Sequence, residues 1–178
     1  MRQIATQSSF SVGCVRCSRE APSRPKRRQA SLARNDIHVL EDGKLTETDR
    51  IAEVLKQAKT IAVVGLSDNP MRPSYDVSQY MQRHGYRIIP VNPGLHSVLG
   101  EKAYASLDEV PEKIDIVNVF RRPVYVPAIV DDVIRLKLPV LWLQETVVHE
   151  QAAEKARQAG VFVVMDRCIL KEHRMRNR

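Results

Sequence analysis

Five apolar stretches of strand length recur along the chain: "TIAVVGLS", "YRIIPVNP", "IDIVNVF", "PVLWLQ" and "VFVVMD". Their cores are runs rich in β-branched and leucine residues, without a regular polar alternation. Each therefore predicts a strand buried on both faces. Between them the apolar period changes to that of a helix. Thr48 to Ala58 groups Ile51, Val54 and Leu55, with Thr48 as the expected N-cap. "SYDVSQYMQRHGY" groups Val77, Tyr80 and Met81, and Gly85 suits the left-handed residue just past a helix. "VPAIVDDVIRLK" and "HEQAAEKARQAG" predict two further helices, the second stopped by Gly160. "VLGEKAYASLDEVP" fits neither period and predicts irregular chain with a short extra strand and a helical turn.

Strands alternating with helices predict an α/β fold: a doubly wound, mainly parallel five-stranded sheet of Rossmann-like type. Such sheets bind ligands beyond the carboxyl ends of their strands. The polar features fall at those ends: Gly65-Leu66-Ser67, Asn92-Pro93, Phe120-Arg121-Arg122, Gln144 and Asp166-Arg167-Cys168. One polar strand end is an ordinary loop, whereas five on one rim predict a site.

Charge changes this picture only by what it removes. Lys and Arg number 28 and Asp and Glu 21, a formal +7. Residues 1 to 34 hold eight basic residues and one acid, so they account for the whole excess. The remainder is neutral, and a nucleic-acid partner has no basis in it. Residues 1 to 45 are basic, serine-rich and free of apolar period, which predicts a largely disordered tail before a domain at 46–178. The same composition suits an organelle transit peptide, an overlong start or an inert extension. No apolar run is long enough to span a membrane. Three cysteines, an odd number, argue against a disulfide framework and for a reducing compartment such as the cytoplasm. Cys14 and Cys17 form a lone C-x-x-C without the second pair a zinc site needs.

Gly65 lets backbone approach a ligand closely, and the helix opening near Ser74 offers free N–H groups at its positive end. Ser67 and Ser74 add hydroxyls, although Ser74 also reads as a simple N-cap. A site for NAD carries Asp or Glu about 20 residues after the glycine loop, for the ribose hydroxyls. Here the second strand ends in Val91-Asn92-Pro93-Gly94-Leu95-His96, without an acid. That points to a phosphorylated ribose, as in NADP or coenzyme A, with Arg72 as the cation. Arg121 and Arg122 read otherwise as a solvated turn, or as ion-pair partners of Asp131 or Asp132.

The ordered set "VGLSDNPMRPSYDVSQYMQRHGYRIIPVNP", "VNVFRRP" and "VVMDRC" resembles the small stand-alone CoA-binding proteins. Their fold is similar to the N-terminal domain of the succinyl-CoA ligase alpha subunit. The resemblance runs from about residue 48 to 175. It implies coenzyme A or an acyl-CoA across the rim, with Gly65, Leu66 and Ser67 on the pyrophosphate. It further implies Arg72 and Ser74 near the phosphates, Asn92 and Pro93 near the adenosine, and Phe120, Arg121 and Gln144 facing the rest. One departure stands out: the family has a small apolar turn with glycine after the glutamine, and this chain has Gln144-Glu145-Thr146.

No Ser/His/Asp or metal-ligand spacing involves the five histidines. Cys168 and His173 lie five apart and form the one candidate thiolate pair. The expectation is thus a binding protein for coenzyme A without evident catalysis. The alternatives are an NADP-dependent reductase, or the nucleotide-binding subunit of a split acyl-CoA ligase with a partner chain. The oligomeric state is left open.

Overall fold

The computed structural model describes residues 46 to 177, so the predicted tail at 1–45 lies outside the described residues. The chain runs α1 (Glu47–Gln57), β1 (Thr60–Val64), α2 (Pro73–Arg83) and β2 (Arg87–Val91). A small hairpin follows, β3 (Ser97–Val98) with β4 (Glu101–Lys102), then a 3-10 turn at Leu107–Glu109. Next come β5 (Ile116–Val119), a 3-10 turn at Pro123–Tyr125, and α3 (Val126–Arg135). The chain closes with β6 (Val140–Leu143), α4 (Glu150–Gln158), β7 (Phe162–Val164) and α5 (Ile169–Arg176).

The expected five-stranded parallel sheet is present, in the order β2-β1-β5-β6-β7. Alternate residues feed two separate cores. Ala62, Val64, Val117, Val119, Leu141 and Leu143 pack with α3 and α4 on one face. Ile61, Val63, Ile116, Trp142 and Val164 pack with α1, α2 and α5 on the other. Both faces are covered by helices, which is why the strands read as unbroken apolar runs. Trp142 is fully buried, and its indole N–H donates to the Arg167 carbonyl at 2.7 Å.

Two helical expectations change. The cap of α1 is Thr46 rather than Thr48, since Thr46 Oγ1 accepts from the Asp49 N–H. Thr48 lies inside the first turn. The second change is α5, a helix that the apolar pattern did not announce. Its inward face carries Ile169 and Leu170 but also Glu172 and His173, both buried. Glu172 is paired there with Arg167 and Arg176. Burial by ion pairing leaves no hydrophobic stripe for periodicity to detect.

Candidate functional site: the carboxyl rim of the sheet

From β1 the chain moves outward to β2, then returns across the sheet to β5 on the other side. Helices thus diverge between the ends of β1 and β5, leaving the crevice where open α/β sheets take ligands. Gly65 sits at that point with φ +87°, and a Cβ there would lie 2.6 Å from the Phe120 carbonyl oxygen. The Arg121 side chain passes 3.0 Å from the same position. Glycine is therefore demanded first by the protein's own backbone, and Arg121 is brought onto the β1 loop.

The loop from Gly65 to Arg72 is tied down internally. Gly65 N–H donates to the Val91 carbonyl at 2.9 Å. Ser67 N–H donates to Ser74 Oγ at 3.2 Å, and Asn69 N–H to Ser67 Oγ at 3.2 Å. Leu66 is fully buried, so only its backbone reaches the rim, and its carbonyl accepts from Asn92 Nδ2 at 2.8 Å. Ser74 does not cap α2: Arg72 holds the N-cap position and makes no side-chain cap, while Pro73 opens the helix. Ser74 is instead a buried first-turn residue whose hydroxyl braces the loop. The positive end of α2 is left without a capping side chain, and the Arg72 side chain is exposed beside it.

Asn92 also accepts from Gly94 N–H at 3.1 Å, while Pro93 is exposed in the turn between them. On the opposite side of Gly65, the ends of β5 and β6 frame an open cavity of about 310 Å³. Phe120, Arg121, Arg122, Gln144, Glu145 and Thr146 contribute to its wall. Gln144 is buried, and its Nε2 donates to Asn118 Oδ1 at 2.8 Å in a buried amide pair. Asn118 is the lone polar residue in the "IVNV" of β5, and no motif in the sequence marks it. Arg122 donates to Tyr125 Oη at 3.3 Å and lies over its ring. Neither Arg121 nor Arg122 pairs with Asp131 or Asp132 as the sequence suggested. Asp132 binds Arg135 within α3, and Asp131 binds Lys155 of α4.

The rim thus carries Arg72, Arg121 and Arg122 without a carboxylate partner among the described residues. Glu145, in the cavity wall, is held by Lys171 of α5 at 2.7 and 2.9 Å. Lys171 is a site neighbour that nothing in the sequence indicates, and the Glu145 carboxylate raises its pKa. The β6 and β7 ends are further linked where Asp166 Oδ1 accepts from Thr146 N–H at 2.8 Å.

Cys168 and His173 do not form a dyad. Cys168 is half-buried at the N-cap of α5. His173 faces α2, where Nδ1 meets Tyr80 Oη at 3.1 Å and Nε2 meets Asn177 Nδ2 at 2.8 Å. With the Asn177 amide donating to Nε2, the ring proton sits on Nδ1 and is donated to Tyr80. Burial, and then the neighbouring His84, hold the His173 pKa below its usual 6.5. Among the described residues no group of three or more His, Cys, Asp or Glu is arranged to hold a metal. No described helix is long and apolar enough to cross a membrane.

The comparisons with known proteins agree with this fold. The family described as CoA binding domain matches residues 59–174, which includes every rim residue named above. Protein YneT of Bacillus subtilis (strain 168) is 47% identical over 123 residues, 69% of this chain and 91% of its own length. The alpha subunit of an ADP-forming acetate–CoA ligase II from Pyrococcus furiosus is 37% identical over 57 residues. That match spans 32% of this chain and only 12% of the ligase subunit. A hypothetical protein from Pyrococcus horikoshii OT3 has a solved structure that superposes with a TM-score of 0.71 at 36% identity. The superposition covers 74% of this chain and 92% of that one. On fold and sequence match together, the chain belongs to the CoA-binding domain family.

Proposed function

We propose that the rim binds coenzyme A or an acyl-CoA, and that binding rather than catalysis is this domain's task. The observation that carries the reading is the family match over 59–174, because it spans the whole rim. The geometry supports it independently. The end of α2 is uncapped, and Arg72, Arg121 and Arg122 have no carboxylate partner among the described residues. An anion with several phosphates suits that set.

In this reading the strand order lays out the ligand. Adenosine lies at the β2 end by Asn92 and Pro93, and the pyrophosphate lies over Gly65, Leu66 and Ser67. Arg72 and the first turn of α2, which carries Ser74, face the phosphates. The pantetheine arm crosses Phe120 and Arg121 to the cavity beside Gln144. From β2 to β6 are three strand spacings, about 14 Å, a span an extended arm of this kind covers. The absence of an acid after β2 favours this over an unphosphorylated dinucleotide.

Native mass spectrometry of freshly purified protein tests the reading. Retained mass equal to coenzyme A or an acyl-CoA supports it. Retained NADP instead would replace it with the reductase reading. The partial match to the acetate–CoA ligase subunit favours a second reading, in which the domain serves a ligase partner chain. Co-purification with an ATP-grasp protein would support that one.

A further inference from the structure

Glu145 puts a carboxylate in the wall of a cavity proposed to receive a polyanion. An uncompensated acid there would repel the ligand through a partly exposed, moderately screened path. The structure provides compensation from outside the rim. Lys171, in the first half of α5, donates to both oxygens of Glu145, at 2.7 and 2.9 Å. Both side chains are substantially exposed, 64% and 47%, so the pair contributes little to folding. No other carboxylate pairs with Lys171, and no other cation pairs with Glu145, among the described residues. Such a pair is poorly explained as a stabilising contact and well explained as a device for the cavity it borders.

We infer that Lys171 is a positioning residue for the ligand: it ties the Glu145 carboxylate to α5 and cancels its charge. This lets an acid stand at the β6 end without turning the ligand away. A lysine is a cation throughout the neutral range. Lys171 need not touch the ligand; it acts through Glu145. The inference rests on the coenzyme A reading given above.

A double-mutant cycle with coenzyme A as the probe tests it, on the full chain by calorimetric titration at low and high salt. Lys171→Met in the presence of Glu145 should weaken binding by about three- to tenfold, the loss shrinking as salt rises. In the Glu145→Gln background the same Lys171→Met change should alter affinity by less than about twofold, because no carboxylate remains to be held. Glu145→Gln alone should leave affinity within about twofold, because Lys171 already cancels that charge, and all melting temperatures should stay close together because the pair is exposed. A melting-temperature loss without an affinity change would make the pair purely structural and overturn the inference. Equal affinity losses in both backgrounds would show that Lys171 contacts the ligand itself, and would also overturn it. Either result leaves the coenzyme A reading standing. Failure of the unaltered chain to bind coenzyme A would remove both.

Discussion

Asn92, just past β2, donates from its Nδ2 to the Leu66 carbonyl 2.8 Å away in the loop after β1. The same amide accepts the Gly94 N–H through Oδ1. One side chain therefore fixes the spacing between the strand end assigned to adenosine and the loop assigned to pyrophosphate. Asn92→Ala leaves a carbonyl and an N–H without their partner. At roughly 0.5–1.5 kcal/mol for each bond, stability should fall by about 1–3 kcal/mol in urea denaturation. Affinity for coenzyme A should fall with it, since the loop is no longer held to β2.

Gly65 and Gly85 offer a matched pair. Both have positive φ, +87° and +91°, but an added Cβ meets Phe120 oxygen at 2.6 Å in the first and nothing within 4 Å in the second. Gly85→Ala should cost about 1 kcal/mol, the strain of the left-handed backbone alone. Gly65→Ala should cost more, about 2–4 kcal/mol, because the backbone of β1 and β5 must also part. Denaturant midpoints of the two variants check this. Lost ligand binding in a Gly65 variant would thus report a displaced loop as well as an occupied phosphate position.

His173 predicts a pH dependence of stability. Its folded pKa lies below the usual 6.5 because burial, and then His84, disfavour the imidazolium. The unfolded chain therefore takes up the proton first, and unfolding is favoured as pH falls through 6.5. The other groups facing this ring are Tyr80 of α2, His84 at the C-cap of α2, Tyr86 before β2, and Arg174 across the Tyr80 ring. The melting temperature should be flat above neutrality and decline below it. In His173→Gln that decline should be shallower. An equally steep decline in the variant would assign it to other groups.

The sheet was legible because both of its faces are buried, so Ile61 to Val64 or Val140 to Leu143 could only be strands. The rim was legible as positions, since strand ends follow directly from strand runs. Its internal bonds were not. Gln144 meets Asn118 only because β5 and β6 pair in a register that sets Asn118 beside Trp142. Ser74 bonds Ser67 across the turn instead of capping its helix, because Arg72 already holds the cap position. Helix α5 escaped the pattern because Glu172 and His173 occupy places that apolar residues usually fill. With it the Lys171–Glu145 pair escaped too, a contact across twenty-six residues that only the fold brings together.

Arg72 is the cation proposed to recognise the ribose phosphate. It stands exposed at the start of α2, across from a β2 end that carries no acid. A charge-assisted contact contributes roughly 1.5–3 kcal/mol, or about ten- to hundredfold in affinity. Arg72→Ala should weaken coenzyme A by that factor and hardly change dephospho-coenzyme A. Equal losses for both ligands would move Arg72 to the pyrophosphate, a place where Arg121 already lies against Gly65.

The central claim is that this rim is a coenzyme A site, and parallel calorimetric titrations of the full chain with coenzyme A and with NADPH test it most directly. The two ligands share an adenine, a pyrophosphate and a phosphorylated ribose, but only one carries the pantetheine arm that the cavity beside Gln144 is proposed to receive. Saturable binding of coenzyme A at one site per chain, with NADPH at least tenfold weaker, is the predicted result (about 1.4 kcal/mol). Saturable binding of NADPH with none of coenzyme A would contradict the account.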